Sequence, residues 1–151
     1  MLSPDLQFKY AEHEQSNYIN EVRNPKLFWG IWYSIIKDMR DKDTHFGYQS
    51  LAVLVENPIF EDWFIVTTNI YGMLDKLDID ATKRWEINGS LKYVQCEHGE
   101  LWPIEGQGLR YHEKTLAAFN SPVCQCGKLG IVRPNVVMYN DTTWNSKRSD
   151  N

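Results

Sequence analysis

Apolar residues fill one early segment of the chain so fully that the segment has almost no polar face. This run, Leu27–Ile36, follows Asn24 and Pro25, which are typical of a helix N-cap and of the first helical position. A helix that is apolar almost all round packs against neighbours on most sides. The pattern therefore predicts a buried helix that begins at Pro25 and passes into the polar segment 37–43.

A second apolar pattern predicts a shorter helix after this polar segment. Thr44 is a suitable N-cap, and Asn57-Pro58 marks the end, because a residue before proline avoids the helical conformation. Between them, apolar residues recur at roughly helical spacing and form the expected inner face. These residues are Tyr48, Leu51, Val53, Leu54 and Val55.

The middle and the end of the chain predict strands. Trp63–Thr68 is short, apolar and rich in β-formers, which is typical of a parallel strand buried on both faces. Residues 85–87, 91–96 and 133–139 predict three further strands. A helix is expected from Asn69 onward, and its inward residues are Met73, Leu74 and Leu77. Helices that precede and follow a buried strand indicate the α/β class.

The polar end of the first predicted strand is the first candidate for function. Thr67, Thr68 and Asn69 lie there, and open α/β sheets bind ligands at the carboxyl ends of their strands. We therefore expect these side chains to border a binding site.

Composition excludes several classes of function. The 151 residues suffice for one domain, and a net charge of −4 gives no basic surface for nucleic acid. The longest apolar run, Leu51–Val55, is far too short to cross a membrane, and the N-terminus lacks the apolar core of a signal peptide. Three cysteines without disulfide spacing indicate a reducing compartment, so we expect a cytoplasmic protein without nucleic-acid or membrane partners.

Four potential metal ligands bracket an irregular segment rich in glycine, proline and charge. They are Cys96, His98, Cys124 and Cys126. Cysteine and histidine pairs that flank an insertion resemble a structural zinc knuckle. The spacing differs from the usual pairs, so the alternative of buried free cysteines beside a surface histidine stays open.

Four short stretches in register resemble the sirtuins, the NAD-dependent protein-lysine deacylases. These stretches are Thr67-Thr-Asn-Ile-Tyr-Gly72, Glu86-Ile-Asn-Gly-Ser90, Cys126-Gly, and Val132-Arg-Pro-Asn-Val-Val-Met-Tyr139. Asn24-Pro-Lys-Leu-Phe-Trp and His45-Phe-Gly-Tyr-Gln-Ser-Leu extend the resemblance, especially to bacterial-type relatives. The similarity covers roughly residues 20–148.

The resemblance implies a partial Rossmann-like parallel sheet with helices on its faces. It also implies one incomplete catalytic domain, 1–151, with an inserted small zinc-module-like segment, 96–126. The family's Gly-rich NAD loop has no match before residue 20, and its last strands have none either, so we expect half of the cofactor site to be absent. A sheet without these strands leaves apolar edges exposed, and self-association becomes a further expectation.

The resemblance also assigns roles at the NAD site. Thr67, Thr68 and Asn69 would lie on the nicotinamide-ribose side, and Tyr71 replaces the aspartate that holds the carboxamide. Asn88 stands at the position of the catalytic histidine. A neutral amide has no useful basicity near neutral pH, so it cannot act as a general base. An ordinary role for Asn88 is compatible with this one, since Asn-Gly favours tight turns.

On the substrate side, the resemblance assigns a strand that pairs with an acylated-lysine peptide and lines its tunnel. Its residues are Val136, Val137, Met138 and Tyr139. A buried core strand is an equally good interpretation for Val136. In the insertion, Cys96 and Cys126 match zinc cysteines, Cys124 is one residue from its expected place, and His98 is the candidate replacement.

Three functional interpretations follow. In the first, the chain is a diverged deacylase that is weak or inactive. In the second, it is a non-catalytic module that binds a partner protein or a nucleotide fragment. In the third, it belongs to a longer sirtuin whose remaining segments restore the site.

Overall fold

The computed structural model describes residues 23–148, so the ends of the expected domain, 1–22 and 149–151, lie outside the described part. The elements run in the order α1 (Pro25–Asp41), α2 (Phe46–Val55), β1 (Ile65–Thr67), short 3₁₀ turns at Met73–Lys76 and Ala81–Lys83, β2 (Arg84–Glu86), β3 (Gly89–Cys96), β4 (Leu101–Pro103) and β5 (Val132–Val136). Within these residues, no helix combines the length and apolar character needed to cross a membrane.

The first predicted helix is confirmed as α1. The Asn24 side chain accepts a hydrogen bond from the Leu27 backbone N–H at 3.2 Å, and Pro25 occupies the first turn. Eight of its side chains or backbone positions are buried, which agrees with the missing polar face. They are Phe28, Trp29, Gly30, Ile31, Trp32, Tyr33, Ile36 and Met39.

Helix α2 differs from its prediction in its cap and in its inner face. His45 rather than Thr44 caps it, because the His45 Nδ1 accepts a hydrogen bond from the Gly47 N–H at 3.1 Å. None of its ten residues is buried, and Val53 and Leu54 are 71% and 51% exposed. The apolar residues span more of the helix circumference than its neighbours can cover, so the outermost ones face solvent.

The strands form two separate sheets of opposite type. β1 and β2 pair in parallel, as an α/β fold requires, with Val66 opposite Trp85. β4, β3 and β5 form an antiparallel sheet in that order. The tight turn after Cys96, in which the Gly99 N–H donates to the Cys96 carbonyl at 3.0 Å, sends the chain straight back along β3. The structure is therefore a mixed α/β fold with a parallel pair.

The core lies between α1 and the antiparallel sheet. Leu91 and Val94 of β3 and Val136 of β5 are fully buried, and they pack with the aromatic residues of α1. Trp102 and Ile104 of the inserted segment belong to the same cluster. The insertion is thus packed onto the main core.

One face of the parallel pair is open to solvent, so the prediction of a strand buried on both faces is wrong for β1. Phe64 and Val66 alternate onto this face and are 55% and 56% exposed, and Trp85 on β2 is 40% exposed. Parallel sheets normally have both faces covered. Among the described residues, these three side chains are covered only in part.

This distribution of burial predicts unequal effects of the same substitution at two strand positions. Val66→Ala is expected to change the free energy of unfolding by less than about 0.5 kcal/mol, because the side chain is largely solvated. Val94→Ala is expected to cost roughly 2 kcal/mol, because it removes two methyl groups from a filled core. Urea unfolding of both variants measures the difference, and equal losses would contradict the core location.

Candidate functional site

Local side-chain bonds shape the chain where β1 ends. The Thr67 Oγ1 accepts from the Asn69 N–H at 3.0 Å, and the Asn69 Oδ1 accepts from the Tyr71 N–H at 2.7 Å. Such bonds compete with helix formation. Gly72 follows in the left-handed region at φ +62°, and only one 3₁₀ turn forms after it. The predicted helix from Asn69 is therefore wrong, and a hydrogen-bonded turn presents Asn69 instead.

The Asn69 side chain is anchored at both of its ends. Its Nδ2 donates to the Tyr48 Oη at 2.9 Å, and this bond links the end of β1 to helix α2. Tyr48 in turn packs against His45, with ring centroids 4.7 Å apart and ring planes tilted by 49°. Sequence patterns assigned Tyr48 to an apolar helix face, and no local signal paired it with a residue 21 positions away.

Asn88 occupies the tight turn between β2 and β3, as the Asn-Gly pair predicts. Gly89 has φ +81°, and a Cβ there would lie 2.1 Å from the Asn135 carbonyl oxygen, so only glycine fits. The Asn88 Nδ2 donates to the Thr68 carbonyl at 3.4 Å. The Asn88 carbonyl accepts from the Val137 N–H at 3.0 Å. One turn thus brings together residues that the sequence assigned to two different binding sites.

The segment after β5 alternates between buried and exposed side chains. Val136 is fully buried and Met138 nearly so, whereas Val137 and Tyr139 are 45% and 62% exposed. Only Val136 of the four predicted residues lies within β5. This burial supports the core interpretation of Val136 and leaves Val137 and Tyr139 facing solvent.

A buried ion pair that sequence reasoning missed anchors this segment. The Arg133 Nη2 donates to the Asp141 Oδ2 at 2.5 Å, and both side chains are almost fully buried. The Arg133 Nη1 also donates to the Val136 carbonyl at 3.3 Å. A buried charge is tolerated only when it is paired and hydrogen-bonded. Arg133 and Asp141 therefore fix the backbone on either side of residues 137–139.

A cleft of about 600 Å³ opens beside Asn69 and Tyr71. It lies between the C-terminal half of α1, the start of α2, the turn after β1 and residues 111–116 of the insertion. Among the described residues, Thr67, Thr68 and Asn88 lie outside its lining. Of the residues predicted to contact the nucleotide, Asn69 and Tyr71 line this cleft, whereas Asn88 lies in the adjoining turn.

The four candidate metal ligands converge. Their donor atoms all lie within 4.8 Å of one another, although 28 positions separate His98 from Cys126. The pairing of β3 with β5 closes the group, because Cys96 lies opposite Val132 and the Glu97 N–H donates to the Ile131 carbonyl at 3.1 Å. The chain before β5 then folds back over the end of β3.

The donor set of this cluster suits zinc. Three thiols and an imidazole make a Cys₃His set, which is typical of closed structural zinc sites. The Cys124 and Cys126 Sγ atoms are 2.7 Å apart, and the Cys126 Sγ lies 3.4 Å from the His98 Nδ1. Burial raises the pKa of Cys124 to about 12, whereas the hydrogen bond from Cys124 lowers the pKa of Cys126. The donor types and their convergence therefore fit a thiophilic ion.

No protein-family model and no curated protein matches the chain. Several solved structures do match it. A Sir2 homologue bound to NAD superposes with a TM-score of 0.71 over 91% of this chain and 49% of that one, at 18% identity. A mutant Sir2 homologue bound to ADP-ribose gives a TM-score of 0.68 over 91% and 51%, also at 18% identity.

A third match is Sir2 bound to an inhibitor, 2′-O-acetyl-ADP-ribose and a deacetylated p53 peptide. It gives a TM-score of 0.62 over 84% of this chain and 50% of that one, at 20% identity. Identities this low establish the fold alone. The chain has a sirtuin-like fold and spans about half the length of these solved chains.

Proposed function

We propose that this protein is a sirtuin-type module that binds an acylated-lysine peptide and the nicotinamide-ribose end of NAD, with little or no deacylase activity. The peptide lies along the exposed side of residues 137–139, and the nucleotide lies at the end of β1. The solved chains that share this fold include complexes with NAD and with a deacetylated peptide, which supports both ligand classes.

The proposal rests on the position of Asn88, because the two predicted binding sites meet at this residue. Its side chain contacts the Thr68 carbonyl, on the nucleotide side, and its own carbonyl contacts the Val137 N–H, on the peptide side. A residue between two substrates is the one that could act on both. The side chain there is an amide, and an amide cannot take up a proton near neutral pH.

The surrounding residues favour binding over catalysis. NAD supplies an electrophilic ribose carbon when it is bound, and a general base must then remove a hydroxyl proton. Loss of a positioned base costs about 10²–10⁴-fold in rate. Tyr71, at 40% exposure, provides bulk where the family has a carboxylate acceptor. Asn69 is already committed to two internal hydrogen bonds.

The insertion serves as a structural zinc module in this proposal. Cys96, His98, Cys124 and Cys126 would hold one ion that ties the end of β3 to the segment before β5. Thiolate-rich sites select zinc over hard cations. Reduced thiols are needed for this, so we also propose a cytoplasmic location.

Restoring the histidine tests whether only the base is missing. We expect Asn88→His to give no detectable NAD-dependent deacylation of an acetyl-lysine peptide, because Tyr71 crowds the carboxamide position and the Asn69 side chain is held by two internal hydrogen bonds. A general base accelerates the reaction little when the ribose is not held in position, since positioning supplies much of the rate enhancement. Nicotinamide release and peptide mass are the measurements, and calorimetry should find NAD binding that is weaker than low micromolar.

Asn88→Ala is the matched control, because it removes the amide without adding an imidazole. Nicotinamide release that rises about tenfold in Asn88→His and not in Asn88→Ala would contradict the inactive assignment, and corresponds to about 1.4 kcal/mol in barrier height. A low-micromolar dissociation constant for NAD would contradict it as well. Equal affinity for acetylated and unmodified peptide would contradict the binding role.

A second candidate function is non-catalytic binding of a partner protein or a second copy of the chain. The open face with Phe64, Val66 and Trp85 supports it, because parallel sheets are normally covered on both faces. Sedimentation at increasing protein concentration distinguishes self-association from a need for another partner.

A further inference from the structure

The chain that follows β5 forms a loop whose two ends are bonded to the same end of β2. At the start of this loop, the Val137 N–H donates to the Asn88 carbonyl at 3.0 Å. At its end, the Arg148 Nη2 donates to the Glu86 Oε2 at 2.5 Å. Residues 137–148 are therefore a closed loop, and the segment that we assign to the peptide is the first part of it.

Two buried carboxamides hold the middle of this loop. They belong to Gln95 of β3 and Asn135 of β5, which are 2% and 0% exposed. The Gln95 Nε2 donates to the Thr143 carbonyl at 2.8 Å, and the Gln95 Oε1 accepts from the Asn145 N–H at 3.0 Å. The Asn135 Nδ2 donates to the Asn145 carbonyl at 2.8 Å and to the Gln95 Oε1 at 3.0 Å. These two side chains, the carboxamide pair, thus connect the antiparallel sheet to the loop.

The partners of Gln95 determine how its amide is oriented. A backbone N–H can only donate a hydrogen bond, and a backbone carbonyl can only accept one. The Gln95 oxygen therefore faces the Asn145 N–H, and its nitrogen faces the Thr143 carbonyl. This removes the usual ambiguity of a glutamine side chain. The loop uses both the donor and the acceptor of one amide.

The carboxamide pair binds the loop through its backbone alone. The three groups that it contacts are the Thr143 carbonyl, the Asn145 N–H and the Asn145 carbonyl. Residues 143–146 lie in neither a helix nor a turn. An exposed sheet edge binds an added strand in the same way, because main-chain hydrogen bonds provide the affinity. Gln95 and Asn135 therefore act in place of a neighbouring strand.

The closed position of the loop depends on these hydrogen bonds. None of residues 142–148 is fully buried, whereas both members of the carboxamide pair are. A segment with few buried apolar contacts opens at low cost. The Arg133–Asp141 ion pair holds the start of the loop and Arg148 holds its end, so the carboxamide pair determines the path between them.

We propose that Gln95 and Asn135 are positioning residues for the acylated-lysine peptide. They hold the 137–148 loop closed, and the closed loop presents Val137 and Tyr139 to the peptide. Both amides lie under the loop and act on the peptide only through it. This inference rests on the proposed function, since it concerns the same peptide site. Sequence patterns placed both residues in strands and assigned neither a role in binding.

Two substitutions of Asn145 test the hydrogen bond from the loop to Gln95. Asn145→Pro removes the backbone N–H, whereas Asn145→Ala keeps it, and both lose the side-chain bond to the Gly99 carbonyl. Fluorescence anisotropy with a labelled acetyl-lysine peptide measures the affinity of the full chain. We expect Asn145→Pro to weaken binding about fivefold, because one net hydrogen bond is lost. Asn145→Ala should stay within about twofold of wild type.

A substitution of Gln95 removes the amide itself. Gln95→Met has a similar length but neither donor nor acceptor, so we expect the acetyl-lysine peptide to bind roughly 5- to 30-fold more weakly. Gln49→Met, at an exposed position of α2, is the control and should bind as wild type. Combining Gln95→Met with Asn145→Pro should weaken binding no further, because the Asn145 N–H has already lost its partner.

Hydrogen exchange separates positioning from a purely structural role. Peptide binding and loop closure are coupled reciprocally, so a peptide that prefers the closed loop must also favour closure. The acetylated peptide is therefore expected to slow exchange of the Asn145 N–H in the wild-type chain, and the unmodified peptide is not. The Val94 N–H in β3 is the reference and should respond to neither peptide. With a merely structural carboxamide pair, exchange at Asn145 would not depend on the peptide.

Wild-type peptide affinity in both Asn145→Pro and Gln95→Met would overturn the inference. Equal weakening by Asn145→Pro and Asn145→Ala, or exchange at Asn145 that the acetylated peptide does not slow, would overturn it as well. Failure of the proposed function is distinguishable, because it appears in the wild-type chain itself. Equal affinity of that chain for acetylated and unmodified peptide would overturn the proposed function and the positioning role together.

Discussion

Gly30→Ala is expected to destabilise the protein by about 3 kcal/mol or more, because overpacking against backbone leaves no side chain to rearrange. A Cβ at Gly30 would lie 1.6 Å from the Leu116 carbonyl oxygen and 3.0 Å from the Ala118 nitrogen. The Ala118 N–H also donates to the Lys26 carbonyl at 2.8 Å, so α1 and the insertion touch through their backbones. One methyl group would push them apart.

The sign of the change in the free energy of unfolding tests whether α1 and the insertion are in contact at Gly30. Helix propensity alone favours alanine over glycine by about 1 kcal/mol. Urea unfolding measures the change, and Ser50→Ala on the exposed side of α2 is the control, with an expected change of less than about 0.5 kcal/mol. A stabilised Gly30→Ala variant would mean that the insertion does not pack on α1.

Zinc is expected to raise the melting temperature of metal-free protein by about 10 °C when it is present at a thousandfold excess over its dissociation constant. The cluster of three thiols and one imidazole joins β3 to the segment before β5. An ion that binds only the folded state stabilises it by mass action. Thermal unfolding with and without zinc measures the shift, and elemental analysis gives the stoichiometry.

Variants of single ligands sharpen this test. Cys126→Ser and His98→Asn should each lose most of the shift, whereas His112→Asn, outside the cluster, should keep it. The His112 Nδ1 accepts from the Thr115 N–H at 3.3 Å, and an asparagine oxygen can replace it. Protein purified without chelator that contains no zinc would make the three cysteines ordinary thiols.

Strong local patterns were sufficient for some elements. The apolar run after Asn24-Pro25 predicted α1, because an unbroken apolar surface and a good cap leave few alternatives. Asn88-Gly89 predicted a tight turn, because a left-handed φ favours glycine. These features depend on residues within one or two helical turns of each other.

Some predictions from weaker local patterns are wrong, because a different local hydrogen bond forms instead. The expected helix after β1 is replaced by a turn, because the Asn69 side chain bonds the backbone two residues ahead. The cap of α2 moved from Thr44 to His45 because an imidazole nitrogen supplied the acceptor. The predicted inner face of α2 is wrong at Val53 and Leu54, which are exposed. Periodicity identifies the apolar residues of a helix but does not determine how many of them a neighbouring element covers.

The sequence by itself predicted the buried helix α1 and the two strands of the parallel pair. It also identified the candidate binding residues and the four candidate metal ligands. Tertiary structure alone decided that those ligands meet, that Asn88 joins the β1 end to Val137, that Arg133 pairs with Asp141, and that Tyr48 holds Asn69. The physical reason is distance along the chain. Periodicity and capping record interactions between near neighbours, whereas these contacts exist only after β3 and β5 pair and Tyr48 of α2 reaches Asn69 at the end of β1.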